Sequence, residues 1–156
     1  MGLLADAPLL NPGNSLVILV SFEGPDRYAQ AGGLGVRVTG LAHTLAELGY
    51  ETHLFFIGDP HLPGEERHGR LTLHRWAQWI SAHHPHGVYD GEEGKRHDLA
   101  ASLPPYLVDR LIAPAVAAGR IPIVLSEEWQ AAEFACLLSD LTATLAIRGR
   151  TVLVWN

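Results

Sequence analysis

One cysteine and no basic run longer than the Lys95-Arg96 pair limit what this 156-residue chain can do. Cys136 alone permits no internal disulfide and no thiolate zinc site, which fits a reducing, cytoplasmic setting. The formal net charge is -6, so neither nucleic acid nor an anionic membrane is expected as the main partner, because nothing would offset phosphate repulsion. No apolar run approaches the ~20 residues that a helical membrane span needs. Met1-Gly2-Leu3-Leu4-Ala5-Asp6 lacks the basic region and apolar core of a secretory signal, and Asp6 stands where a myristoylation motif has Ser or Thr. No G-x-S-x-G elbow is present, and Cys136 falls in an apolar helical stretch without a local base, so a hydrolase triad has no support.

Apolar residues reach 47% against 18% charged, the balance of a globular domain with a real core. After a loose opening over residues 1–14, Leu16-Val17-Ile18-Leu19-Val20 is wholly apolar, as a strand covered on both faces reads. Leu34, Val38, Leu41, Leu45 and Leu48 then recur at steps of four, three, four and three, one stripe on a helix that Gly49 stops. Leu54 to Ile57 is a second apolar strand, completing a βαβ-like unit. Residues 58–96 turn rich in Gly, Pro, His and charge and read as a surface excursion, with a short strand or helix at Leu71 to Ile80. A helix is expected from about His97 to Ala118, broken near Pro104-Pro105, followed by a strand from Ile121 to Leu125 that tolerates Pro122 near its start. Ser126 is suited to cap the next helix, with Glu127 and Glu128 in its first turn, and Val152 to Trp155 is a last strand.

This order predicts one three-layer α/β domain over residues 1–156 with a mainly parallel sheet. Ligands of such folds sit beyond the carboxyl ends of the strands, where Ser21 to Gly35, Ser126 to Trp129 and Trp155-Asn156 arrive. Ala31-Gly32-Gly33-Leu34-Gly35 opens the first helix, and glycines at a helix N-terminus allow close approach of an anion to free N–H groups. A dinucleotide fold wants G-x-G-x-x-G directly after the strand; here the loop from Phe22 to Gly32 is too long. His83-His84-Pro85-His86, with His61, His68, His74 and His97 around it, lies in a Pro-containing loop without the regular frame of a zinc site, so no metal is expected. Asp59 reads as a turn residue rather than a ribose-binding acid.

Ser21-Phe22-Glu23-Gly24-Pro25, then Gly32-Gly33-Leu34-Gly35 and the helix ending Leu48-Gly49-Tyr50-Glu51, resembles the opening of glycogen and starch synthases and related retaining glycosyltransferases. That opening runs strand, E-x-x-P, K-x-G-G-L-G-D, then a helix ending L-G-H-E/T-V. Glu127-Glu128-Trp129-Gln130-x-Ala132 is similar to the family's H-D-W-H/Q-T-A segment, and Thr151 to Asn156 to its strand ending His-Asn. Gly87-Val88-Tyr89-Asp90-Gly91 faintly echoes a G-x-Y-x-D stretch. Gln30 replaces the family's lysine, Val36 its aspartate and Trp155 its histidine, which points away from a polysaccharide synthase in the strict sense.

The resemblance implies the N-terminal, Rossmann-like domain of a GT-B enzyme, apparently incomplete, that transfers a sugar with retention from a nucleotide-diphosphate donor such as UDP- or ADP-glucose to a carbohydrate acceptor. It implies Gln30, Gly32 and Gly33 at the donor phosphates and sugar, and Glu23, Glu127, Trp129 and Asn156 on the acceptor side. The main catalytic groups and most of the donor site would belong to a C-terminal GT-B domain beyond Asn156, so this piece alone would be inactive. No cofactor other than the sugar nucleotide as substrate is implied. The alternative is a non-catalytic nucleotide-binding or assembly module, which an open sheet edge after Trp155 would favour through self-association.

Overall fold

A computed structural model describes residues 9–156; the first residues of the expected loose N-terminus, 1–8, lie outside the described part. A six-stranded sheet forms the middle layer, with strand order β3-β4-β2-β1-β5-β6. All neighbouring pairs are parallel except β3 with β4. Strand β1 (Ser15–Val20) is buried throughout, as its unbroken apolar run requires between β2 (Glu51–Ile57) and β5 (Ile121–Ser126). Its alternate side chains feed two cores. Val17 and Leu19 meet Val38 and Ala42 of helix α1 (Gly33–Glu47), while Leu16, Ile18 and Val20 meet the helices of the opposite face.

Helix α1 carries the expected stripe and stops at Gly49, which takes φ 96°. The Gly49 N–H bonds to Ala46 and that of Tyr50 to Leu45, a Schellman closure that needs the left-handed backbone glycine adopts without strain. Strand β2 begins three residues earlier than its apolar run, because the polar Glu51 and His53 find partners in Arg120 and His74.

Four expectations change. The 58–96 stretch is only partly surface: β3 (Glu65–His68) and β4 (Leu71–Trp76) form a hairpin, and β4 joins the sheet beside β2 with Leu71 and Leu73 buried. A short helix α2 (Gln78–Ser81) follows. Helix α3 (Glu92–Leu107) starts five residues before His97 and runs through Pro104 and Pro105, then continues as a π-helical segment, Val108–Ile112, and α4 (Ala113–Ala117). Each internal proline costs about 3 kcal/mol. Full burial of Leu99, Leu103, Leu107 and Ile112 returns roughly 1.5–3 kcal/mol per side chain, enough to keep the helix intact. Widening to the π turn just after the prolines takes up the displaced ladder.

The third change is at Ser126, which ends β5 instead of capping a helix. Its hydroxyl donates to the Ala131 carbonyl, and helix α5 (Ala132–Thr144) begins only after a 3-10 turn, Trp129–Ala131. Glu127 and Glu128 therefore precede the helix, and Glu133 occupies its first turn. The fourth is Cys136, which lies on α5 but faces outward and is exposed. Strand β6 (Val152–Trp155) closes the order as an edge, pairing from Ile123 onward, so Pro122 stands one residue ahead of it. No helix among the described residues is long and apolar enough to cross a membrane.

Candidate functional site

Chain direction brings the carboxyl ends of β1, β5 and β6 together, and the loops after them converge on the N-terminus of α1. Glu23, three residues past β1, is only 4% exposed. Its Oε2 accepts the backbone N–H groups of Gly32 and Gly35, each at 3.0 Å, and its Oε1 accepts the Tyr89 hydroxyl at 2.7 Å. A carboxylate here complements the positive end of the helix dipole and satisfies donors that no cap side chain reaches. Burial alone would push the Glu23 carboxyl up; the bonds from Tyr89, Gly35 and Gly32 outweigh it and hold the group below the usual carboxylate range. Tyr89 moves the other way, pushed up by burial and by its bond to Glu23.

The glycines divide the work. A Cβ on Gly35 would lie 3.0 Å from the Gly24 carbonyl and 3.2 Å from Glu23 Oε2, so Gly35 is there for the fit of the loop. A Cβ on Gly33 would meet nothing within 4 Å, so the backbone there is open to an approaching ligand. Of the two amides expected at a phosphate, that of Gly32 is engaged by Glu23. Gln30 is exposed, and Val36 is 60% exposed.

Glu127 forms the second centre. It is 4% exposed, its N–H bonds to the Val20 carbonyl, and its Oε2 accepts from Arg37 at 2.7 Å and from the Asn156 side chain at 3.1 Å. Arg37 also lies 3.9 Å from Glu128. Backbone bonds between Asn156 and Ser126 and between Glu128 and Asn156 pin the end of β6 to this turn, and Trp155 Nε1 donates to the Glu128 carbonyl. Glu128 takes φ 65° with ψ 173°, a positive-φ backbone that a glutamate rarely adopts.

Trp129 does not pack into the core. It is 58% exposed, as is Trp155, and the Arg96 guanidinium lies 6.0 Å from the Trp129 ring centre. Gln130 reaches Glu92 at 3.2 Å, while its buried Oε1 has no protein partner. The edge is thus acidic and aromatic, with Glu127, Glu128 and Glu92 against Arg37 and Arg96. Such a rim suits a neutral, hydroxyl-rich ligand with apolar ring faces better than a phosphate.

Glu23, Gly32, Gly33, Glu127, Trp129 and Asn156 thus gather along one sheet edge, and Gln30 flanks them. Tyr89 and Arg37 were not singled out from the sequence. Tyr89 sits in the faint G-x-Y-x-D echo, which was its only signal; Arg37, one turn past Gly33, had none, because an arginine on a helix is ordinarily a solvated one. Lys95, the chain's only lysine, is fully buried and donates to Tyr28 and to the carbonyls of Gly87, Val88 and Asp90, so it fixes the loop that presents Tyr89. Among the described residues no three His, Cys, Asp or Glu side chains are grouped to hold a metal.

No protein-family model matches the chain, and no curated protein does. A solved structure does: the catalytic domain of starch synthase IV from Arabidopsis thaliana, bound to ADP and acarbose, at TM-score 0.62 and 16% identity. The likeness covers 90% of this chain and 33% of that one, so the chain spans about a third of the structure it resembles. The fold is therefore Rossmann-like and shared with part of that starch synthase domain.

Proposed function

We propose that the chain is the acceptor-side part of a retaining glycosyltransferase that moves a sugar from a nucleotide-diphosphate donor to a hydroxyl-rich acceptor. The observation that carries this reading is Glu127, buried at the carboxyl edge of the sheet, held by Arg37 and Asn156 and flanked by exposed Trp129 and Trp155. The carboxylate is fixed to accept sugar hydroxyls, and the tryptophan faces suit the apolar faces of a pyranose ring. Support comes also from the fold shared with a starch synthase domain that binds ADP and acarbose.

In this reading the exposed Gly33 amide and the Gln30 side chain face the leaving diphosphate, where N–H donors stabilise growing negative charge. The Gly32 amide acts indirectly, by anchoring Glu23. Neither donor is cationic, so the groups that neutralise the diphosphate and most of the nucleotide site would lie in a second, C-terminal GT-B domain. The 156-residue chain by itself should then bind donor weakly and transfer nothing. Calorimetric titration with UDP-glucose, ADP-glucose and NAD tests this: weak binding of a sugar nucleotide is expected, and tight binding of NAD would contradict it.

A second reading, an assembly module, rests on the β6 edge. Val152, Val154 and Trp155 are 38%, 44% and 58% exposed on a strand with one flank unpaired in the sheet. Sedimentation of the chain as a stable homodimer would favour it.

A further inference from the structure

A single residue, Glu128, joins Glu127 to Trp129, and its φ of 65° with ψ of 173° is a conformation that glycine tolerates and other residues avoid. Such a backbone persists only where its surroundings hold it. We propose that Trp155 does so: it is a positioning residue whose indole N–H fixes the Glu128 carbonyl and thereby keeps the Glu127 carboxylate on the sheet edge. Its importance for ligand binding rests on the reading of Glu127 as an acceptor-side carboxylate; its hold on the turn does not.

Both flanks of this link are anchored. Before it, Ser126 ends β5 in register with Trp155, and the Glu127 N–H bonds to the Val20 carbonyl at 2.9 Å. After it, the Trp129–Ala131 turn leads straight into α5, with Ala131 and Phe134 fully buried. A rotation at Glu128 therefore cannot be passed along the chain in either direction. The link itself must take it up, Glu127 included.

The end of β6 supplies the hold. The Glu128 N–H donates to the Asn156 carbonyl at 2.8 Å, and the Glu128 carbonyl accepts the Trp155 indole N–H at 2.9 Å and the Ala131 N–H at 3.2 Å. Of these three bonds only the indole one comes from a side chain, so a substitution can remove it and leave the backbone alone. Indole is a donor and not an acceptor, so the direction of the bond is fixed. The Trp155 ring stays 58% exposed while its N–H is bonded to the turn, so presenting an aromatic face and holding Glu128 are compatible. Asn156, next in sequence, gives its side-chain amide to Glu127 Oε2 at 3.1 Å. The same two residues thus hold the strained turn and the carboxylate beside it.

Trp155→Phe keeps an aromatic ring and removes the donor. Its effect is measured in three backgrounds of the 156-residue chain: Glu128 itself; Glu128→Ala, which loses the carboxylate but keeps the cost of a positive φ; and Glu128→Gly, which loses both. Acarbose affinity should fall about five- to tenfold with Trp155→Phe in the first two backgrounds and less than about twofold in the third. The ligand-free chain gives a second readout. The amide resonances of Glu127 and Glu128 and the side-chain amide of Asn156 should move with Trp155→Phe in the first two backgrounds and far less in the third. An equal change in all three backgrounds, or no change in any, would overturn the proposal. If acarbose does not bind at all, the Glu127 reading fails, and the ligand-free shifts still decide whether Trp155 holds the turn.

Discussion

Glu23 and Gly35 are twelve residues apart, yet one carboxylate oxygen of Glu23 accepts the Gly35 N–H at 3.0 Å and shares it with that of Gly32. The glycine-rich loop is thus wrapped around a carboxylate of its own chain. What remains open to a ligand is Gly33 and the rim beyond it.

Substituting Glu23 should expose this dependence. In Glu23→Ala the Gly32 and Gly35 amides and the Tyr89 hydroxyl lose their acceptor, and hydrogen bonds to a charged group contribute about 1.5–3 kcal/mol each. Because part of that loss is recovered by water, urea denaturation should show a net destabilisation of roughly 2–4 kcal/mol. Tyr89→Phe, which removes a single partner, should cost about 1 kcal/mol.

The two glycines should respond in opposite ways. Gly35→Ala drives a Cβ against the Gly24 carbonyl, whose backbone cannot swing away, and should destabilise by about 1–3 kcal/mol. Gly33→Ala meets open space and should be neutral or stabilising by up to about 1 kcal/mol. If the Gly33 amide faces a ligand, the same alanine should weaken sugar-nucleotide binding while the melting temperature holds.

Acid sensitivity should come from the sheet. His53 Nδ1 and His74 Nε2 lie 2.8 Å apart between β2 and β4, with the His74 ring stacked on Phe55. Burial, and then the neighbouring His53, depress His74 to about 3. Burial also lowers His53, although Glu51 and Glu65 pull it back and Arg67 adds to the depression. The His74 ring stays neutral in the fold far below the usual imidazole range, and both rings bind protons more readily once unfolded, so stability is full above about pH 6.5 and is lost as pH falls below it. Between pH 6.5 and 4.5 the loss should be roughly 2–3 kcal/mol, and His74→Phe should flatten that slope in pH-dependent denaturation.

The parts of the fold legible in sequence were those where burial repeats: the unbroken run of β1, the four-three spacing of α1 and the glycine stop at Gly49. Strand β4 is ambiguous in sequence because its buried Thr72, His74 and Arg75 are polar, and the partners that accommodate His74 and Arg75 include His53 and Asp26, 21 and 49 residues away. The prolines of α3 misled for a similar reason, since the leucines that override them act through tertiary packing. At the candidate site the motifs point to Glu23, the glycines, Glu127, Trp129 and Asn156, which the fold places near one another. The contacts that hold them, Arg37 with Glu127 and Tyr89 with Glu23, span 90 and 66 residues and leave no local trace.

Trp129 separates ligand binding from stability. At 58% exposure it contributes little to the core, so Trp129→Ala should leave the melting temperature nearly unchanged. Loss of a stacking face worth about 1 kcal/mol or more should weaken oligosaccharide binding roughly five- to tenfold.

Titration of the chain with acarbose, read by amide chemical shifts, tests the central claim most directly. The account predicts saturable shifts confined to residues 23–37, 89–92, 127–130 and 155–156, and their loss in Glu127→Gln. An absence of saturable shifts, or shifts centred elsewhere on the fold, would contradict it.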